Sequence, residues 1–315
     1  MNDNLDQKLS RSYDANFLVS DAYKKSMPDM QNGKSETICG ANVPIIQVGS
    51  SNFKLPLFFK QKGGAVIQLE ASISGTVSLK KDSKGINMSR IVRTFYDYKK
   101  EVFSPELIEK ILLDYKINLK SSRAWLKIDF SFPMLRESLR SGLSGYQYYN
   151  CAFEGLLDEQ DQFHKIVHFD YIYSSSCPCS MVLSEHAREV RGVYGIPHSQ
   201  RSTASIKARI DNEQSISFNE LHHLCVTGIP TETQVMVKRE DEQAFAELNG
   251  ANSIFVEDAV RLLYKQFNSE SRITDFEIAC SHLESLHSHD AVAVVSKGIP
   301  NGFKGDFTEY QQLIR

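Results

Sequence analysis

The sequence predicts an antiparallel α+β fold. Long segments alternate apolar and polar side chains with period two, which marks strands that bury one face. Amphipathic helical segments fall between groups of these strands, as expected for helices gathered on one face of an antiparallel sheet. The order strand, helices, strands also occurs twice, without a residue-level repeat. The 315 residues are 41% hydrophobic and 24% charged, an ordinary globular composition that suffices for one large domain or two modules.

Residues 1–60 are polar and rich in turn formers, and read as an N-terminal arm. Within it, Met27-Pro28-Asp29-Met30-Gln31-Asn32 fits neither helix nor strand. Two units follow, 61–160 and 161–315. In the first, Ala65, Ile67, Leu69, Ala71, Ile73, Val77 and Leu79 alternate with polar residues along one strand, where Gly75 suggests a bulge. Residues 89–98 suit a short helix. Ser104 caps the next, with Pro105 at its first position and Leu107, Ile108, Ile111, Leu112 and Tyr115 along one face. Strands return at 124–132 and 146–153, before an acidic turn at 157–161. In the second unit Val167, Phe169, Tyr171 and Tyr173 share one strand face, and Ala204, Ile206, Ala208 and Ile210 another. Ser217 and Glu220 form a capping box. An amphipathic helix over 255–267 and strands near 273–280 and 291–295 close the chain.

Composition narrows the function. A net charge of -3 lacks the basic excess of a nucleic-acid platform. No apolar run is long enough for a membrane span, and the start, MNDNLDQKLSRSYD, lacks the apolar stretch of a secretory signal. A cytoplasmic protein is expected. Six cysteines are too few for a disulfide scaffold at this length. Cys39, Cys151, Cys225 and Cys280 stand singly and read as small apolar residues.

The chemistry-bearing residues lie in the second unit. Cys177-Pro178-Cys179 follows a strand. Its thiolates suit zinc or another borderline metal, or a nucleophile, and equally a packed strand-to-loop corner. His198-Ser199-Gln200-Arg201-Ser202 opens a strand. There His198 suits a metal ligand or proton shuttle and Arg201 an anion partner, unless this is a polar strand start. The run Lys238-Arg239-Glu240-Asp241-Glu242 taken alone is a solvated face. Glu257 and Asp258 complement a helix dipole, although Glu257 borders the apolar stripe. Residues 281–290 hold three of the nine histidines, His282, His287 and His289, together with Glu284, and suit a metal or acid–base site or a polar loop.

Taken in order, these motifs resemble the type IB GTP cyclohydrolases, a prokaryotic family of the tunnelling fold. The segment 27–32 and Lys84-Gly85-Ile86-Asn87-Met88-Ser89-Arg90 agree with it, so the resemblance runs from about residue 27 to about residue 300. It implies tandem tunnelling-fold modules. It also implies hydrolysis and rearrangement of GTP to 7,8-dihydroneopterin triphosphate and formate, in pterin and folate synthesis. The resemblance makes Cys177, His198, Glu242 and His287 the holders of one divalent ion, zinc, manganese or ferrous iron. Cys177, His198 and Glu284 become catalytic and Glu257 the guanine anchor. Arg90, Arg201 and Lys238, beside the motifs, are candidates for the triphosphate. The family's sites lie between subunits, so a homo-oligomer, a tetramer, is implied. Two features depart from the pattern. Residues 181–197 form a long insert in which Leu183, Ala187 and Val190 suit one face of an added helix, and Glu240 competes with Glu242. Another tunnelling-fold enzyme acting on a pterin or 7-deazapurine, or a non-catalytic metal-binding protein, are the alternatives.

Overall fold

The computed structural model describes residues 12–29, 38–60 and 64–314. Met30, Gln31 and Asn32 of the early motif lie outside these. Eight strands form one sheet in chain order: β1 Ile45–Lys60, β2 Val66–Leu79, β3 Ala124–Glu137, β4 Ser144–Leu157, β5 Phe163–Ser176, β6 Ser199–Ile210, β7 Ile273–His282 and β8 Ala291–Ser296. Every neighbouring pair is antiparallel. The helices are α1 Asp21–Ser26, α2 Met88–Asp97, α3 Pro105–Leu119, α4 Pro178–Arg191, α5 Phe218–Gly228, α6 Arg239–Ala251 and α7 Val256–Ser269. No helix among the described residues is long and apolar enough to cross a membrane.

Alternation decides which face is covered. Ala71, Ile73, Leu126, Ile128, Phe153, Phe169, Tyr171, Ala204, Ile206, Phe276 and Ile278 point to one side. There they join Ile91, Ile108, Ile111 and Leu112 of α2 and α3 and Phe218, Leu221, Leu263 and Phe267 of α5 and α7 in one core. The core is continuous along the whole sheet. The opposite face carries Glu154, whose carboxylate meets Trp125 Nε1 at 2.9 Å, His168 Nε2 at 2.7 Å and Lys207 Nζ at 3.5 Å. The chain after β8 crosses this second face. Phe303 and Gly305 donate their N–H groups to Asp275 and Glu277 of β7, and Leu313 is fully buried.

Several expectations change. The arm includes a strand, since β1 occupies its last residues and pairs with β2. The irregularity expected at Gly75 belongs to β1, where Asn52 takes a positive φ of 57° between Ser50 and Phe53. Gly75 is needed for packing instead: a Cβ there would come within 3.0 Å of the Tyr115 ring. Cys151, Cys225 and Cys280 are buried as expected, but Cys39 is exposed. The charge run begins a helix, α6, that its mixed composition concealed. The Ser217–Glu220 capping box forms as predicted.

Gly155 on β4 offers a check of the helix-on-sheet packing. A Cβ there would lie 2.4 Å from Ile108 and 3.0 Å from Leu112 of α3. Gly155→Ala is expected to cost ~1–3 kcal/mol of stability by overpacking, read as a lowered urea midpoint. An unchanged midpoint would mean that α3 does not seat on β4 in this way.

Candidate active site

The site grows from the ends of β5, β6 and β7. In β5 the core face carries Phe169, Tyr171 and Tyr173, so Ser175 falls on that face, with Cys177 two residues beyond it. In β6 the core face carries Ala204 and Ile206, so Ser202 and Gln200 continue it and His198 precedes them. Ser175 pairs with Gln200 and Ser176 with Ser199. One step further, the Cys177 N–H donates to the His198 carbonyl at 3.2 Å, which sets these two residues opposite each other. In β7 the face carries Ile278, Cys280 and His282, and His282 pairs with Ser202. The Leu283 N–H reaches the Arg201 carbonyl, and the Glu284 N–H then turns back to the His282 carbonyl at 2.9 Å, so Glu284 begins the loop after β7. Strand period two thus brings Cys177 and His198 to one end of one face, with Glu284 in the loop that follows β7 at the same end.

The insert of residues 181–197 makes this closure possible. Cys177 stands at the N-cap of α4, which Gly192 ends in the left-handed conformation with φ 64°. The following loop folds back, with the Arg188 guanidinium donating to the Gly195 carbonyl, and the His198 N–H reaches Ser180 Oγ at 3.3 Å. The expected helix therefore forms, but its apolar side chains Val182, Leu183 and Val190 stay exposed in the single chain.

A buried polar layer lies beneath Cys177 and His198. His198 Nδ1 lies 3.0 Å from Gln200 Oε1, Gln200 Nε2 lies 2.7 Å from Ser175 Oγ, and Ser175 Oγ lies 2.8 Å from Ser202 Oγ. Below this, Tyr173 and His282 share a hydrogen bond of 2.9 Å. Burial pushes the His282 pKa down to about 4, so that imidazole is neutral at pH 7. Of this layer, His198, Gln200, Ser202 and His282 sat inside motifs, and Ser175 in the serine run before Cys177. Tyr173 carried no signal beyond its strand parity.

The remaining predicted residues take varied places. His287 and Glu284 approach to 3.8 Å, and His287 stacks on His289 with ring centres 4.8 Å apart, in the loop after β7. Glu257 is exposed in the first turn of α7. The Ile254 N–H anchors that helix start to the Ser176 carbonyl at 3.0 Å, directly beside Cys177. Glu242 and Glu240 are exposed in the first turn of α6, with Lys238 exposed at its N-cap. Arg201 is exposed and, by strand alternation, faces away from His198. Arg90 donates to the Asn118 carbonyl beside the start of β3, at the opposite end of the sheet from Cys177.

The thiol, imidazole and carboxylate donors suit a divalent ion chemically. Among the described residues, however, no three His, Cys, Asp or Glu side chains stand close enough to hold one. Glu242 therefore does not join Cys177 and His198 within one chain.

The fold is an α+β one in which the core face of an antiparallel sheet continues beyond its apolar layer into Ser175, Gln200, Ser202 and His282. The sequence profile of the family described as type I GTP cyclohydrolase folE2 matches residues 27–293. A GTP cyclohydrolase FolE2 from Roseobacter denitrificans is 55% identical over 291 residues, covering 92% of this chain and 79% of that protein. One from Paracoccus denitrificans is 54% identical over 290 residues, covering 92% and 90%. The chain belongs to the type I GTP cyclohydrolase FolE2 family. A uricase from Arthrobacter globiformis superposes with a TM-score of 0.49 at 7% identity, over 87% of this chain and 99% of that one. That likeness is too slight to bear on fold or function.

Asp241 lies between the two competing glutamates and is fully buried. Its carboxylate accepts the N–H groups of Arg140 at 2.8 Å, Ser141 at 2.9 Å and Lys238 at 2.8 Å, fastening the start of α6 to the β3–β4 turn. Burial works to raise its pKa, but the Lys238, Ser141 and Arg140 hydrogen bonds outweigh burial and hold it well below the ordinary value. A depressed folded pKa gives stability that is present above the unfolded value of ~3.9 and is lost as pH falls below it. Asp241→Asn is therefore expected to be less stable than the parent at pH 7, with the gap narrowing below pH ~3.9. Urea midpoints at pH 7 and pH 3 check this.

Proposed function

We infer that this chain is a GTP cyclohydrolase that converts GTP and one net water to 7,8-dihydroneopterin triphosphate and formate, in folate biosynthesis. The observation that carries this reading is the placement of Cys177 opposite His198 at the end of one sheet face, in a member of this family. Opening the imidazole ring of guanine needs water delivered to C8, release of that carbon as formate, and proton transfers to the ring nitrogens. His198 and Glu284 offer an imidazole and a carboxylate for these transfers.

His198 takes and returns protons beside Cys177, and Glu284 is the second acid–base group. Glu257 accepts the N1–H and 2-amino N–H of guanine, a two-bond match that adenine cannot make. Its anchorage beside Cys177 supports that role. Lys238 serves the triphosphate from the start of α6. Arg201 and Arg90 are the further candidates, and Arg90 reaches a site only from another subunit. Cys177, His198, Glu242 and His287 would hold the divalent ion, which supplies Lewis acidity to the attacking water.

The working form is a homotetramer, with two tandem tunnelling-fold modules in each chain. Three features support it. Strands β1 and β8 are the two edges of the sheet, α4 leaves Val182, Leu183 and Val190 exposed next to Cys177, and Glu242 lacks its partners within one chain.

Incubation with GTP and zinc, manganese or ferrous ions, with detection of formate and of a fluorescent pterin after oxidation, tests the activity. Cys177→Ala is expected to lose nearly all turnover together with bound metal, measured by elemental analysis. Glu257→Gln is expected to stay folded and metal-loaded while turnover falls at least ~100-fold, the factor for ~2.7 kcal/mol. Normal turnover in that variant would move the guanine anchor elsewhere.

A further inference from the structure

We propose that Gln200 is a positioning residue that fixes the ring tautomer of His198. The proposal rests on the reading that His198 takes part in the GTP reaction. Gln200 is 9% exposed, on the core face of β6 between His198 and Ser202. Its amide has one acceptor and one donor end, and both are engaged. Oε1 faces His198 Nδ1 at 3.0 Å, and Nε2 faces Ser175 Oγ at 2.7 Å. Ser175, itself fully buried, passes the chain on to the buried Ser202 at 2.8 Å.

An amide oxygen accepts and cannot donate, so the ring nitrogen facing it carries the proton. His198 is then protonated at Nδ1, and Nε2 keeps its lone pair for a ligand or a proton. Nε2 has no hydrogen-bond partner among the described residues. Histidines that ligate or shuttle protons are commonly oriented through the other ring nitrogen by a carboxylate, a carbonyl or water. Here a side-chain amide does this without burying a charge, at a position whose neighbours Ser175 and Ser202 are also uncharged.

The serine hydroxyls are what make the orientation testable. A hydroxyl donates or accepts equally well, so Ser175 would also tolerate the flipped amide. The flipped amide would place a donor against Nδ1 and force the opposite tautomer. The full-length protein as purified, labelled with 15N-histidine, would be studied by magic-angle-spinning NMR, with the His198 signals identified by their loss in His198→Asn. Protonated Nδ1 and unprotonated Nε2 are expected. Gln200→Leu is expected to lose that preference and to lower kcat ~10–100-fold, the usual cost of removing such a partner, with KM for GTP little changed. Gln200→Glu, which keeps an acceptor in place, is expected to restore the tautomer and most of kcat. A parent protein with the proton on Nε2, or a Gln200→Leu variant with parental tautomer and kcat, would overturn the proposal. The parental spectrum decides even if a variant fails to fold. If the protein shows no GTP turnover, the functional reading fails while the tautomer assignment still stands or falls on the spectrum.

Discussion

The site depends first on the register between β5, β6 and β7. A slip of one residue in any of them would turn every side chain to the other face. It would move Cys177 or His198 away from its partner and drive charged groups such as Asp170, Lys207 or Arg209 into the core. The apolar part of each strand prevents this. Phe169 and Tyr171, Ala204 and Ile206, and Ile278 and Cys280 are fully buried on the shared face. Burial of a large apolar side chain is worth ~1.5–3 kcal/mol, so a slip that exposes several of them is not accessible. Packing in the middle of the sheet thus fixes the placement of polar groups at its end.

A second constraint acts where β4 and β5 part. Their ladder stops at the pair Cys151 and Phe169, although β5 continues to Ser176. The connection between α5 and α6 fills the gap. Thr231 accepts the Ser174 N–H at 2.8 Å, and Glu232 bridges to Tyr173. The buried Glu232 carboxylate collects Tyr149, His222 at 2.7 Å and Arg136 at 3.2 Å. A buried carboxylate needs such a set, because an unpaired one would cost several kcal/mol. The same wedge steadies the last residues of β5 before Cys177 and leads the chain to α6, where Asp241 fastens the turn that carries Glu240 and Glu242.

The two faces of the sheet use charge differently. On the core face, the buried Glu232 carboxylate is held by its cluster, and the buried Lys165 ammonium at the start of β5 donates to the Asn212 carbonyl at 3.1 Å and the Gln214 carbonyl at 2.6 Å. On the opposite face Glu154 is held ionised: burial opposes this, but the His168 hydrogen bond and the charges of His168 and Lys207, with Trp125, bring its pKa down to about 2. The C-terminal segment lies across that face, with Phe303 against Lys207 and Arg209. Cys177 and His198 are therefore separated from this charge network by the thickness of the sheet.

Much of this was legible in the sequence, because strand and helix periodicities are local. Alternation from Ala65 to Leu79 and from Val167 to Tyr173, and the Ser217–Glu220 box, each need only neighbours in the chain to declare themselves. The motifs around Cys177, His198, Glu257 and Glu284 were visible for the same reason. What the sequence could not express was anything set by a partner element. β1 was missed because an edge strand carries weak alternation, and α6 because its first turn is all charge and its buried Asp241 is satisfied from the distant β3–β4 turn. Gln200, Ser175, Ser202 and Tyr173 are ordinary polar strand residues until the register sets them against one another. The sequence determined the elements and the chemistry they carry. The tertiary structure alone decided which groups meet, because hydrogen bonds across strands depend on a register that no single strand contains.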